Sequence, residues 1–170
     1  GAPIAGQVPK SNITILENND NSSAAEAFRI LRTNVNFLLK NSTDPQTIYI
    51  TSTTSGEGKS FISTNLAQTL TMSGISVLLI GAVFRSPKVL DYLGITDQYI
   101  NKYGVTEYLI SQDVSIDNII IKKPAHYKFD VIYSGQIAPN PSELLMNGRF
   151  EDIVKYGKEH YDYVIVDTAP

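Results

Sequence analysis

Residues 52–61 combine residue types that could bind the phosphate groups of a nucleotide. Gly56 and Gly58 allow the backbone to turn its N–H groups toward phosphate oxygens. Lys59 could reach the β- and γ-phosphates, and the Ser60 hydroxyl could ligate Mg²⁺. The pattern is a variant of the Walker A loop, because Thr53 stands where the strict pattern has glycine. The predicted nucleotide-binding residues are Ser55, Gly56, Glu57, Gly58, Lys59, Ser60 and Phe61.

A second candidate is Asp167, which follows the apolar run Val164–Val166. An aspartate at the end of a buried strand delivers a carboxylate to the carboxyl edge of a sheet, as a Walker B site requires. Taken alone, such an aspartate is more often an ordinary strand-capping residue. Beside a phosphate loop, we expect Asp167 to support Mg²⁺ together with Ser60.

These residues need a scaffold, and the sequence predicts an α/β fold with a mostly parallel sheet flanked by helices. A strand over 47–52, a helix over 59–72 and a strand over 75–80 form a βαβ unit around the loop. Asn140, Pro141 and Glu143 have the spacing of a helix start. Further predicted elements are a helix over 24–40, a short helix over 106–110, a strand or buried turn over 118–121, a strand over 129–133, a helix over 149–160 and a strand over 161–167.

The composition limits the classes of function. The 170 residues are 42% hydrophobic, which is enough for a core. The formal net charge of −3 argues against a basic nucleic-acid footprint, so we expect no nucleic-acid partner. The chain has no cysteine, which excludes thiolate metal sites and thiol nucleophiles. Residues 1–22 show little periodicity and are predicted to form an extended arm before one domain over 23–170.

Four segments, in this order, resemble the cytoplasmic kinase domain of the bacterial tyrosine kinases that accompany capsular and exopolysaccharide export. They are Pro3–Pro9, the Glu-x-x-Arg-x-x-Arg pattern of 26–32, the Gly-Glu-Gly-Lys-Ser form of Walker A in 51–60, and 135–145 with its Pro-Asn-Pro-Ser-Glu-Leu-Leu run. The resemblance implies a P-loop NTPase-like fold, ATP or ADP with Mg²⁺ as cofactors, and tyrosine autophosphorylation with Lys59 and Asp167 as catalytic residues. It also implies a place at the cytoplasmic face of the bacterial inner membrane, a membrane-spanning chain-length or export domain as partner, and a cognate tyrosine phosphatase as a further candidate partner.

The resemblance gives the helix near the N-terminus a role in assembly. Glu26, Arg29 and Arg32 lie about one helical turn apart, so they form one strip. In the resembled family this strip mediates contact between the subunits of a homo-oligomeric ring. Without the resemblance, a solvated helix face would be the preferred interpretation.

The sequence departs from the family at the Walker A′ element, which ends in Asp-x-Asp. Here Gly81 and Val83 occupy the two acidic positions. Neither residue binds a metal or accepts a proton, so we expect nucleotide binding with weak or absent phosphotransfer. Three explanations for the missing carboxylates are open. The chain is an engineered inactive variant, it is a natural pseudokinase, or another carboxylate, such as Asp91 or Asp130, takes over the role.

A second departure concerns the family's pattern after Walker B. The family domain continues there with further strands and a tyrosine-rich tail, and we expect this chain to be truncated relative to it. Two other functions stay open. One is a non-catalytic, nucleotide-dependent oligomerisation module. The other is a partitioning-type ATPase, against which Thr54 counts, because that group has a signature lysine there.

Overall fold

The computed structural model describes the backbone of residues 12–17, 29, 33, 36–37, 40, 46–52, 57–82, 94 and 102–168, and the side chains of all of these except 12–17, 46, 51–52 and 57–61. The strands are β1 (Asn12–Glu17), β2 (Gln46–Ser52), β3 (Val77–Ala82), β4 (Asp130–Ile132) and β5 (Tyr163–Thr168). The helices with described bounds are α1 (Glu57–Met72), α2 (Val105–Ile110), α3 (Ile116–Ile119), α4 (Pro141–Leu145) and α5 (Arg149–His160).

The five described strands form one sheet in the order β1-β2-β5-β3-β4, and every pair of neighbours is parallel. The last strand in the sequence therefore lies in the centre, between β2 and β3. The α/β fold with a parallel sheet is confirmed. Strand β1 was not predicted, because residues 12–17 fall within the segment expected to be an extended arm. It forms an edge of the sheet by pairing with β2.

Alternating side chains on the strands divide the core into two layers. One layer contains Ile48, Leu79 and Ile165, which pack with the α1 residues Ile62 and Leu66. The opposite layer contains the intervening residues of the same strands, with side chains from α2 and α5. A sheet covered on both faces explains why its strands read as nearly continuous apolar runs.

Helix α1 ends as the Ser73-Gly74 pair predicts. Gly74 has φ +82°, and its N–H donates to the Thr71 carbonyl at 3.1 Å. The next N–H, that of Ile75, donates to the Leu70 carbonyl at 3.1 Å. These bonds satisfy the last carbonyls of the helix and turn the chain into β3.

One predicted element is different in the structure. Residues 118–121 were expected to form a strand or a buried turn, whereas α3 occupies Ile116–Ile119 and only Ile121 makes an antiparallel bridge, with Val131. The Ser115 hydroxyl lies 2.8 Å from Oδ1 of Asn118, in a capping box that starts the helical turn. Local capping therefore prevails over the β propensity of the isoleucines. The other helices and strands predicted within the described ranges are confirmed to within about two residues.

Only five positions of the helix predicted over 24–40 are described, namely 29, 33, 36, 37 and 40, and all five are helical. The rest of that prediction lies outside the described residues. Among the helices that the structure describes, none has the length and apolarity needed to cross a lipid bilayer.

Candidate nucleotide site

Asp167 lies at the carboxyl end of β5, in the middle of the sheet. Its Cα pairs with Ile50 on β2 and with Gly81 on β3. Its side chain is buried, with 1% exposed. The predicted Walker B carboxylate is thus at the edge where the parallel strands end, which is where ligands of open α/β sheets bind.

The predicted phosphate loop meets the same edge. β2 ends at Ser52 and α1 begins at Glu57, so residues 53–56 link a strand to a helix as the motif requires. The backbone of Glu57, Gly58, Lys59, Ser60 and Phe61 forms the start of α1. Ser55 and Gly56 lie outside the described residues. The start of a 16-residue helix supplies N–H groups and partial positive charge to an anion.

A hydrogen bond joins α1 directly to Asp167. The Ser63 hydroxyl donates to Oδ2 of Asp167 at 3.2 Å, and both residues are buried. Sequence reasoning missed Ser63, although a signal was present. Position 63 lies three residues after Ser60 and four after Lys59, so it shares their face of the helix.

Gly81 stands beside Asp167 in the register of β3 and β5. It is buried, like the rest of β3. The position that is acidic in the resembled family is therefore adjacent to the Walker B carboxylate, and here it carries no side chain. Val83 and Asp91 lie outside the described residues.

Asp130 is not placed to replace the missing carboxylates, so it is removed from the two candidates, Asp91 and Asp130, for that role. It begins β4 and pairs with Leu78, three residues before Gly81 on β3. At about 3.3 Å per residue, Asp130 is displaced along the strands by roughly 10 Å, toward their amino-terminal ends. Its carboxylate is also engaged, since Lys123 N–H donates to Oδ1 at 2.9 Å and the Tyr161 hydroxyl donates to Oδ2 at 2.6 Å. Burial and this hydrogen bond raise the pKa of Tyr161.

Several hydrogen bonds form a junction between the loop after β4 and the start of α2. The Glu107 carboxylate accepts hydrogen bonds from Gly104 N–H at 2.7 Å and from Gln136 N–H at 3.1 Å. Thr106 reinforces the junction, because its hydroxyl contacts the carbonyls of Ser134 and Gln136, each at 2.9 Å. This loop begins the 135–145 segment that carried part of the family resemblance.

Tyr133 is the residue that follows β4 and leads into this junction. Burial, and secondly the charge of Glu107, raise its pKa to about 12. Its hydroxyl donates to the Lys102 carbonyl. The phenol serves as a structural donor, and it loses its proton at a higher pH than an ordinary tyrosine does.

The predicted assembly strip is described only at Arg29. Arg29 is helical and exposed, and its carbonyl accepts a hydrogen bond from the Thr33 hydroxyl at 3.0 Å. Glu26 and Arg32 lie outside the described residues.

The donor set fits a hard divalent cation on a nucleotide. Asp167 offers a buried carboxylate at the carboxyl end of β5, near the start of α1. The sequence predicts a hydroxyl ligand at position 60, whose side chain lies outside the described residues. Oxygen ligands of this kind are those that Mg²⁺ prefers when it bridges protein and phosphates. A strand, a phosphate loop, a helix and a central strand ending in aspartate define a P-loop nucleotide-binding domain.

Comparison with known proteins shows to which family of P-loop nucleotide-binding domains the chain belongs. A family profile described as an AAA domain matches residues 45–170. The Staphylococcus aureus protein with the name "Putative tyrosine-protein kinase CapB" is 32% identical over 167 residues, which cover 95% of this chain and 68% of that protein. The chain belongs to the family of bacterial tyrosine kinases.

Other relatives agree. The tyrosine-protein kinase etk of Escherichia coli K12 is 38% identical over 152 residues, which cover 89% of this chain and 20% of that protein. The solved kinase domain of Escherichia coli tyrosine kinase ETK superposes with a TM-score of 0.72 and 37% identity, over 89% of this chain and 57% of that domain. The chain thus spans only part of these relatives.

A likeness at the level of the fold extends to the septum site-determining protein MinD of Pyrococcus horikoshii, solved with Mg-ADP, at 20% identity and a TM-score of 0.56. At 20% identity this likeness shows only a shared fold. The partitioning-type alternative is not favoured, because the relatives above 30% identity have the names of tyrosine kinases.

Proposed function

We propose that this chain is the ATP-binding part of a protein tyrosine autokinase that regulates polysaccharide synthesis or export. The observation that carries the proposal is Asp167, which is buried at the carboxyl end of the central strand and hydrogen-bonded to the helix that follows the phosphate loop. The family to which the chain belongs supplies the substrate class, protein tyrosine, and the polysaccharide role.

The proposed site uses residues from two elements. The backbone N–H groups of residues 55–61 hold phosphate oxygens, Lys59 neutralises the β- and γ-phosphates, and Ser60 and Asp167 ligate Mg²⁺. Bound Mg-ATP would supply the transferable phosphoryl group and offset its negative charge. Lys59 and Asp167 are the residues to which we assign catalysis, through positioning and electrostatic stabilisation.

We further propose that phosphotransfer is weak in this chain. A tyrosine hydroxyl with a pKa near 10 benefits from a base, typically by about 10²–10⁴-fold. Gly81 occupies one of the two positions where the family places carboxylates, directly beside Asp167. Because this position lacks a side chain, a non-catalytic, nucleotide-dependent oligomerisation module is the second candidate function.

Two arms test the proposal. In the first, calorimetry with Mg-ADP compares wild type with Asp167→Asn, which should weaken Mg²⁺-dependent binding by at least the ~10–100-fold seen when residues that only orient a ligand are changed. Asp130→Asn is the matched control, because it removes a buried charge at the opposite edge of the sheet and should leave affinity unchanged. A wild-type chain that folds but binds neither Mg-ADP nor Mg-ATP would contradict the proposal.

The second arm measures phosphotyrosine formed from ATP on a supplied tyrosine-containing peptide. We expect little product from wild type and a rise for the double variant Gly81→Asp, Val83→Asp. Strong transfer by wild type would contradict the proposed impairment. Nucleotide binding without transfer in both proteins would favour the assembly module.

The remaining assignments concern partners and place. We propose a homo-oligomeric ring with contacts at Glu26, Arg29 and Arg32, a membrane-spanning chain-length or export domain as partner, and a cognate tyrosine phosphatase as regulator. The corresponding location is the cytoplasmic face of the bacterial inner membrane. The exposure of Arg29 is consistent with the ring contact. The family resemblance supports the other partners and the location.

A further inference from the structure

The hydrogen bond between Ser63 and Asp167 is the feature of the site that the family pattern did not lead us to expect. It joins residues 104 positions apart, across the interface between α1 and β5. Ser63 is completely buried and Asp167 is 1% exposed. A hydroxyl and a carboxylate in such surroundings interact more strongly than they would in water, because the local dielectric constant is low.

The bond acts on the orientation of the carboxylate. An aspartate side chain can rotate about its Cβ–Cγ bond, which exchanges the directions of its two oxygens. A donor that holds Oδ2 limits this rotation, and so determines the direction in which the other oxygen points. A carboxylate held in one orientation can meet a cation without first being reoriented.

The position of Ser63 suits it to orient the Asp167 carboxylate. Ser63 lies on α1, one turn beyond the residues proposed to contact the phosphates and the cation. The register of β5 places the acceptor between β2, which leads into the phosphate loop, and β3. One hydrogen bond therefore couples the helix of the phosphate loop to the metal carboxylate.

We propose that Ser63 is a positioning residue that orients Asp167 for the Mg²⁺ of a bound nucleotide. This inference rests on the proposed nucleotide-binding function. In this proposal Ser63 contacts neither the nucleotide nor the metal. Its effect is on the affinity for Mg²⁺, whereas a residue that only packs α1 against the sheet would lower stability without changing the Mg²⁺ dependence of nucleotide binding.

The test is a Mg²⁺ titration at fixed ADP, monitored by calorimetry, together with ADP binding in EDTA. For Ser63→Ala we expect the Mg²⁺ concentration at half-saturation to rise by about tenfold, the lower end of the range for residues that orient a metal ligand. Binding of ADP in EDTA should change little, and the melting temperature should fall by a few degrees, because a buried carboxylate oxygen loses its donor. Ser63→Thr keeps the hydroxyl and should return half-saturation to within about threefold of wild type.

Thr71→Ala is the matched control, because it removes another buried hydroxyl from α1, one that contacts the Gln68 carbonyl at 2.9 Å. Half-saturation by Mg²⁺ should not change in this variant. A folded Ser63→Ala protein with wild-type Mg²⁺ dependence would overturn the assignment of Ser63 alone. A wild-type chain without any Mg²⁺-dependent nucleotide binding would overturn both this assignment and the proposed function.

Discussion

At the scale of single residues, the pairing of Gly81 with Asp167 makes a quantitative prediction. Gly81→Asp would place a second carboxylate beside a buried one. Like charges in a buried site repel, so we expect the free energy of unfolding to fall by about 2–4 kcal/mol without Mg²⁺. Bound Mg-ADP should recover part of this loss, because the cation compensates the added charge. Urea unfolding with and without Mg-ADP measures both effects.

The control for this experiment is Gly81→Asn, which has almost the same shape and no charge. It shares any steric cost of a side chain at position 81, so the difference between the two variants isolates the charge. If the Asp and Asn variants are equally stable in both conditions, the carboxyl end of β3 does not face the charge of Asp167.

Tyr133 gives a prediction for the pH dependence of stability. Its pKa is raised to about 12 in the folded chain, first by burial and then by Glu107, from the ordinary value of 10.0. Folding therefore favours the protonated phenol. This contribution is fully present below pH 10 and is lost as the pH rises toward 12. The stability difference between wild type and Tyr133→Phe should shrink by roughly 1 kcal/mol per pH unit in that window, measured by urea unfolding.

Measuring a difference between two proteins removes the contributions of the other tyrosines. Tyr103→Phe is the control variant, because Tyr103 is 54% exposed and its removal leaves the junction at Glu107 intact. A stability difference for Tyr133→Phe that stays constant from pH 9 to 12 would show that the phenol titrates alike in the folded and unfolded chains.

At the scale of secondary-structure elements, Gly157 determines how closely α5 approaches the sheet. A Cβ added at this position would lie 2.6 Å from Cγ2 of Val164 and 3.2 Å from Cδ2 of Leu78. Alanine is the better helix former by about 1 kcal/mol, but overpacking a core costs about 1–3 kcal/mol. We expect Gly157→Ala to lower the free energy of unfolding by about 1 kcal/mol, as measured by urea unfolding.

A substitution at an exposed position of the same helix serves as the control. Glu159→Ala changes an exposed residue of the same helix and should alter stability by less than about 0.5 kcal/mol. If Gly157→Ala proves more stable than wild type, α5 has room to move away from β5. The contact with Val164 would then not limit its approach.

Elements with a strong local signal were predictable, and those that depend on neighbours were not. The helix of Arg149–His160 was predicted with its observed bounds. The edge strand of residues 12–17 has little periodicity of its own and depends on pairing with β2, which a reading of local sequence does not contain. The same holds for the candidate site. Asp167 could be predicted from its motif, whereas the role of Ser63 could be recognised only once α1 was seen to pack against β5.

At the scale of the whole molecule, the order of the strands explains how distant segments form one site. The phosphate loop follows β2, the Walker B carboxylate ends β5, and the position of the family's Walker A′ element is at the end of β3. These three strands are adjacent in the sheet although β5 is the last in sequence. The sequence motifs implied this proximity, but only the register shows that Gly81, rather than Ala82, lies opposite Asp167 and that Asp130 belongs to the other edge.

The last prediction concerns assembly through the exposed helical residue Arg29. If this residue meets acidic groups of a neighbouring subunit, Arg29→Glu replaces attraction with repulsion and should raise the dissociation constant of the oligomer by about tenfold or more. Lys155→Glu makes the same charge reversal at an exposed position of α5, away from the proposed strip, and should have a much smaller effect. Sedimentation velocity over a range of concentrations, with Mg-ADP present, measures both constants. Equal weakening in the two variants would indicate a general effect of net charge, and a wild-type chain that stays monomeric throughout would contradict the ring contact at Arg29.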